Sequence, residues 1–155
     1  MADITDFKGS DIIDVRDIIA RVEELRGERD DHQASIAEAD AALDGSLENA
    51  DAKQKAIEAD AEWSNVYAEE LETLESFLDG IKGYGGDEQW EGDWYPVTLI
   101  ARSYFVDYCE ELVKDIGDLP REMPSYLAID WQATADNLEV DYSTVYFDGD
   151  EYLYR

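Results

Sequence analysis

Apolar residues recur every three or four positions along the first half of the chain, which is the spacing of one face of an α-helix. The clearest members of this first pattern are Val15, Ile18, Val22 and Leu25. The pattern weakens around His32, which we interpret as a partly covered helix residue, and then ends at Asp44-Gly45-Ser46. Because glycine readily adopts the left-handed conformation that ends helices, we predict that a first helix stops there.

A second helical pattern follows and is strongest from Tyr67 onward. Its positions are Ile57, Asp60, Ser64, Tyr67, Leu71, Leu74, Leu78 and Ile81. Two long helices joined by a short loop predict an antiparallel helical hairpin, or coiled coil, over residues 13–82, preceded by an N-terminal arm over residues 1–12. Since each helix offers one apolar stripe, we expect a homodimer. Its predicted dimerisation residues are Ile57, Tyr67, Leu71, Leu74 and Leu78.

The composition changes after the glycines at 83, 85 and 86, and residues 83–155 are rich in aromatic side chains. Pro96 precedes a short run of β-prone residues, which predicts a strand. A helix is predicted from Ser103, and Asp130 is a candidate N-cap for a second helix from Trp131 to Leu138. We interpret the acidic segment around Trp90 and Trp94 as a loop.

The end of the chain carries the strongest local signal. Two β-prone runs flank Asp148-Gly149, and an Asp-Gly pair between such runs is typical of a two-residue β-hairpin. We therefore predict a small α+β domain over residues 83–155. The whole chain is predicted to be α+β, with a helical hairpin followed by this domain.

Charge narrows the range of functions. The sequence contains 40 acidic and 12 basic residues, and its net charge is -28 over 155 residues. Such a surface repels phosphates, so nucleic acid is excluded as a partner and a basic protein surface is favoured. No apolar run approaches the roughly 20 residues that span a bilayer, and no secretion signal precedes the first helix. The sequence thus predicts a cytoplasmic protein that binds no membrane.

Candidate chemistry is sparse. The one cysteine, Cys109, and the one histidine do not suffice for a zinc site, and Asp148-Gly149-Asp150 lacks the calcium-loop pattern. Carboxylates are so abundant that pairs of them do not indicate a hydrolase, and no nucleophile or phosphate-loop motif is present. We therefore predict no enzyme activity, no metal and no cofactor.

The acids themselves are the best candidates for function, because carboxylates along a helix can imitate the spacing of phosphates along DNA. On the second helix they are Glu58, Asp60, Glu62, Glu69, Glu70, Glu72, Glu75 and Asp79. In the segment around the two tryptophans they are Asp87, Glu88, Glu91 and Asp93. On the predicted C-terminal helix they are Asp107, Glu110, Glu111 and Asp115. Trp90 and Trp94 are candidate aromatic anchors.

Part of the chain also resembles a known family. The stretch from Gly83 to Ile100 looks like the core of small acidic phage and prophage proteins. The segment from Ile129 to Ala135, with the closing run from Val145 to Tyr154, is similar to the end of the ArdA antirestriction proteins. The resemblance covers residues 83–155 and implies a homodimeric DNA mimic that acts on Type I restriction-modification enzymes.

The long helices are not an ArdA feature, so the resemblance leaves other targets open. These are a CRISPR effector, a host nucleoid protein or another DNA-binding enzyme. The sequence therefore predicts a phage-type inhibitor in the bacterial cytoplasm that blocks the DNA-binding surface of a defence protein. The alternative is a non-catalytic coiled-coil scaffold or adaptor that binds a basic host protein.

Overall fold

A computed structural model describes residues 3–155. The chain divides into a helical unit, Ile18–Gly80, and a sheet unit that combines the residues up to Asp17 with Ile81–Arg155. Its helices and strands are, in chain order, α1 (Ile4–Phe7), β1 (Ile12–Asp14), α2 (Val15–Ala41), α3 (Leu47–Ile81), β2 (Asp87–Trp90), β3 (Asp93–Tyr95), β4 (Thr98–Ala101), α4 (Arg102–Asp115), α5 (Trp131–Glu139), β5 (Ser143–Phe147) and β6 (Asp150–Tyr154). The α+β class predicted from the sequence is confirmed.

Helices α2 and α3 pack together as an antiparallel hairpin. The two apolar patterns face each other and supply the buried side chains, which include Ile18, Val22, Leu25, Leu71, Leu74 and Leu78. The predicted break is confirmed at Gly45, whose φ is 86°, and the Asn49 amide closes the loop by donating to the Ala42 carbonyl at 3.0 Å. No helix within residues 3–155 has the length and apolarity that a bilayer crossing requires.

Four antiparallel strands form the main sheet of the sheet unit, in the order β1-β4-β6-β5. A buried cluster of Ile100, Phe105, Cys109, Ala135 and Leu153 joins α4 and α5 to this sheet. Cys109 is fully buried, as a structural thiol should be. The sheet unit therefore has an apolar core of its own.

Two turn and cap predictions in this unit are confirmed. Asp130 caps α5, since its side chain accepts a hydrogen bond from the backbone N–H of Ala133 at 3.0 Å. Asp148 and Gly149 connect β5 and β6 with φ angles of 51° and 82°. Positive φ at both central residues is the geometry that favours an Asp-Gly pair in a two-residue hairpin.

The N-terminal segment is the first part of the fold whose elements the sequence analysis does not predict. Residues 1 and 2 lie outside the described residues, but the rest of the predicted arm forms α1 and leads into β1. Ile12 pairs with Ile100 and Asp14 with Thr98, so β1 is an edge strand of the main sheet. Three residues are too short for an alternating pattern to stand out. This is why the sequence does not separate β1 from the helix that follows it.

The segment around the two tryptophans is the second such part, because it is a hairpin of β2 and β3 rather than the predicted loop. Glu91 and Gly92 form the turn with φ angles of 52° and 78°. Gly86 precedes the hairpin at a close backbone approach, where an added Cβ would lie 1.8 Å from the Tyr95 carbonyl oxygen. A side chain at this position would force the segment apart.

Helix α4 also begins one residue earlier than predicted. Ala101 occupies the N-cap and makes no side-chain capping bond, so Ser103 lies inside the helix. Ile116 occupies the C-cap just past the end of the helix and is 59% exposed.

Candidate partner-binding surface

Five of the predicted acids lie exposed on the outer side of α3. They are Glu58, Glu62, Glu69, Glu72 and Asp79, and we call them the acidic stripe. Successive members are four, seven, three and seven residues apart, which keeps them on one side of an α-helix. The buried residues Leu71, Leu74 and Leu78 lie on the opposite side. The stripe is therefore the solvent face of an amphipathic helix.

The length and charge density of the stripe bear on mimicry of DNA. Its 21-residue span corresponds to about 32 Å at about 1.5 Å per residue. Five carboxylates over that length give roughly one charge per 8 Å, whereas one DNA strand carries about one phosphate per 3.4 Å of helix axis. The stripe is thus a sparse imitation of one strand, and a mimic of DNA would have to use further acids.

Three of the acids predicted for this surface of α3 are not part of the exposed stripe. Glu70 and Glu75 form ion pairs with arginines of α2, and Asp60 is half-buried. The Glu70 side chain is only 10% exposed. The sequence pattern missed this because the arginines stand among apolar positions of α2, and charged side chains there need partners on the facing helix.

Arg21 is the centre of the polar contacts between α2 and α3. Its Nε and Nη2 donate to the two carboxylate oxygens of Glu70 at 2.8 and 3.1 Å, and its Nη1 donates to Glu24 at 2.7 Å. The pKa of Arg21 is raised, mainly because Glu70 accepts these hydrogen bonds. A two-point contact of this kind fixes the position of one helix along the other. Its role is structural.

The basic residues are largely neutralised within the chain. At least ten of the twelve lysines and arginines form ion pairs with carboxylates of the same chain. Most of these pairs are exposed, and such pairs contribute little stability. Their effect on the surface is larger, because few cations are left to oppose the excess acids.

Helix α4 presents a second group of predicted acids. Asp107, Glu111 and Asp115 are exposed, and Glu111 accepts a hydrogen bond from the Tyr104 hydroxyl at 3.2 Å. Glu110 is half-buried and pairs with Lys114 at 2.8 Å. Three of the four predicted residues therefore face solvent.

The hairpin of β2 and β3 holds the last group of acids and both candidate tryptophans. Asp87, Glu88 and Glu91 are exposed, whereas Asp93 is half-buried and pairs with Lys82 at 3.1 Å. Trp94 is 53% exposed. Trp90 is half-buried, and its ring centroid lies 6.3 Å from that of Tyr95. Trp94 is thus the better placed of the two to anchor a partner.

The residues predicted to form a dimer lie mainly inside the hairpin. Leu71, Leu74 and Leu78 are between 0 and 5% exposed within a single chain. Their burial needs no second copy, because the stripe of α3 packs on the stripe of α2. Ile57 is 39% exposed, and Tyr67 is half-buried beside Trp63. A dimer through the three leucines would require the hairpin to open.

Comparisons with protein-family models, with curated proteins and with solved structures give no match to this chain. Within residues 3–155, no three His, Cys, Asp or Glu side chains are grouped so that they could hold a metal ion. The resemblance to ArdA thus stays a prediction from residues 83–155.

Proposed function

We propose that this chain is an inhibitor that binds the DNA-binding surface of a bacterial protein, with carboxylates in place of phosphates. The observation that supports the proposal most is the acidic stripe on α3, which leaves five carboxylates exposed along about 32 Å of helix. The pairing of most cations within the chain preserves that negative surface. The target is a restriction-modification enzyme, a CRISPR effector or a nucleoid protein in the bacterial cytoplasm.

The mechanism of this inhibitor is competition without catalysis. An acidic surface attracts a basic groove over about a Debye length, which accelerates the encounter at low salt. Once bound, the carboxylates occupy the positions where lysines and arginines of the target hold phosphates. Because one helix face is a sparse imitation of DNA, a mimic needs further carboxylates, and the exposed acids of α4 and of the β2–β3 hairpin are the candidates.

A mobility-shift assay with purified DNA-binding enzymes tests the proposal. The panel contains a Type I restriction-modification enzyme, a CRISPR effector and a nucleoid protein, each with its own DNA. Stoichiometric addition of the chain should release DNA from at least one of them, and the inhibition should weaken steeply between about 50 and 200 mM salt. Retention of DNA by every enzyme would rule out this set of targets.

Two matched variants separate the stripe from total charge. The first changes Glu58, Glu62, Glu69 and Glu72 to Gln, and the second changes Asp107, Glu111, Asp115 and Asp118 to the corresponding amides. Both remove four exposed charges and leave the buried ion pairs intact. The proposal expects a cumulative loss of inhibition in the first variant and a smaller loss in the second. Equal losses would mean that net charge, rather than the stripe, determines binding.

A second candidate function is a helical scaffold or adaptor that joins a coiled coil. Exposed apolar side chains along α3 favour it, since Leu47 is 90% and Val66 is 65% exposed. Apolar contacts are insensitive to screening, so a scaffold's complex should persist between about 50 and 200 mM salt. The salt dependence of binding therefore distinguishes the two functions.

A further inference from the structure

The main sheet ends in two edge strands, and only one of them is protected. Strand β1 is three residues long and carries Asp14, whose carboxylate is held by Arg16. Strand β5 has five residues, pairs with β6 without a bulge, and contains no charged residue and no proline. Short, charged or interrupted strands are the usual means of preventing further pairing at an edge. Strand β5 has none of these protections.

The hairpin geometry identifies the backbone groups that face outward from β5. Phe147 and Asp150 flank the two-residue turn and form a hydrogen-bonded pair, after which the ladder alternates along the strand. The N–H and C=O groups of Thr144 and Tyr146 therefore point away from β6. Neither residue makes a backbone hydrogen bond to another segment among the described residues, and Tyr146 is 67% exposed.

The charges around β5 indicate what kind of strand could pair with it. Asp141 precedes the strand and is exposed, and Asp148 follows it, held only by a solvent-exposed contact with Lys8 at 3.4 Å. These two carboxylates flank the five extended residues of β5, with Asp141 in the turn that follows α5 and Asp148 in the hairpin turn. An uncharged strand between two acids is complementary to an extended segment with a basic residue at each end.

We infer that the open edge of β5 binds an extended segment of a basic partner protein by β-strand addition. Thr144 and Tyr146 each exchange backbone hydrogen bonds with the incoming strand, and Asp141 and Asp148 pair with lysine or arginine at its two ends. The inference rests on the proposed function in taking the partner to be a basic DNA-binding protein. It assigns that partner a second point of contact, separate from the acidic stripe.

A second copy of this chain is a poorer occupant of the same edge. If two β5 strands paired antiparallel about Val145, Thr144 of each would lie opposite Tyr146 of the other. That register also brings Asp141 of one copy beside Asp148 of the other, at both ends of the pair. Like charges at close range, on chains that each carry a net charge of -28, oppose this association.

The test uses the full chain and a synthetic peptide of eight residues that alternates Thr and Val between a Lys at each end. Binding is measured by NMR shift changes of the β5 amides. Three changes, two in the peptide and one in the protein, should each weaken binding at least tenfold. They are a peptide with Glu at both ends, a peptide N-methylated at the amides that face β5, and the variant Thr144→Pro. The Pro variant removes an outward N–H that the β5–β6 ladder does not use.

Thr144→Val is the matched control, because it keeps the backbone N–H and should bind the Lys peptide within threefold of the unchanged chain. The N-methylated peptide leaves the protein intact, so the test does not depend on folding of the Pro variant. Equal binding of the N-methylated peptide, equal binding of the Glu peptide, or no shift at β5 would overturn the inference. So would a dimer of the chain that Thr144→Pro dissociates.

The peptide measurement contains no DNA-binding enzyme, so its outcome is independent of the mobility-shift assay. A positive shift assay without peptide binding would leave the acidic stripe as the contact and exclude the β5 edge. Peptide binding without any displacement of DNA would leave the edge as a docking site and exclude the DNA-mimic function for the enzymes tried.

Discussion

The two ends of the helical hairpin follow the same spacing of apolar residues but are stabilised in different ways. In the near half, where α2 begins and α3 ends, Ile18, Val22 and Leu25 pack with the leucines of α3 and are fully buried. In the far half, which contains the connecting loop, no side chain from Arg26 to Glu62 is buried. Polar contacts replace the core there, such as the bond from Lys53 Nζ to Asp40 at 2.7 Å. Helical periodicity alone therefore does not report how much burial supports a helix.

Hydrogen exchange should show the largest difference between the halves. Amides of Val22 and Leu74 in the near half exchange only when the buried contacts break, whereas those of Ile36 and Ile57 need only local fraying. We expect the far amides to exchange at least about a hundredfold faster. Equal protection in NMR-detected exchange would mean that the far half is covered in solution, for instance by another chain.

Truncating a buried leucine should have the largest effect among single substitutions. Leu74 is completely buried, so Leu74→Ala should lower the free energy of unfolding by about 2–5 kcal/mol. The matched change Ile57→Ala in the far half should cost less than about 1 kcal/mol, since that side chain is 39% exposed. Urea unfolding followed by circular dichroism measures both. A cost at Ile57 equal to that at Leu74 would contradict the comparison.

The ion pairs between the helices should likewise contribute more stability in the near half than in the far half. Glu70→Gln weakens the acceptor of a nearly buried arginine, and we expect a loss of about 1–3 kcal/mol. Asp40→Asn breaks a pair whose carboxylate is 60% exposed and should cost no more than about 0.5 kcal/mol. Thermal unfolding of the two single variants, each paired with its cation variant in a double-mutant cycle, gives the coupling energies. Similar values for both pairs would show that burial does not set their strength.

The smallest predicted effect is an increase in the stability of the chain. Gly27 lies in the middle of α2 with open space around the position of an added Cβ. Glycine inside a helix is about 0.5–1 kcal/mol less favourable than alanine, so Gly27→Ala should stabilise the chain by that amount. The melting temperature of this variant provides the measurement. A decrease would indicate that the outer face of α2 is in contact with something that a methyl group disturbs.

Much of this fold could be predicted because its signals are local. Helix spacing, the break at Gly45, the cap at Asp130 and the Asp-Gly turn each depend on residues close together in sequence. Strand β1 and the β2–β3 hairpin could not be predicted in the same way. Their strands are three or four residues long. They are held by pairing with distant segments or by a turn that has Glu91 where Asn, Asp or Gly is favoured.

The candidate surface was predictable only in part, for a related reason. The sequence identifies every acid, but it does not say which of them face a cation across the hairpin. Glu69 and Glu70 are neighbours in the chain, yet one is exposed and the other is paired with Arg21. The open edge of β5 could not be predicted from the sequence, because the order of strands in a sheet depends on long-range pairing.

The buried cysteine has a practical consequence for measuring motion. Burial, with a smaller contribution from the negative charge of Glu139, raises the pKa of the Cys109 thiol and so disfavours the reactive thiolate. Because the chain has no other cysteine, one added reagent can label one site, and the labelling rate counts the openings of the core beneath α4 and α5. A ligand that holds the sheet closed would slow that rate. The labelling rate of Cys109 in the native chain thus measures how often the core of the sheet unit opens.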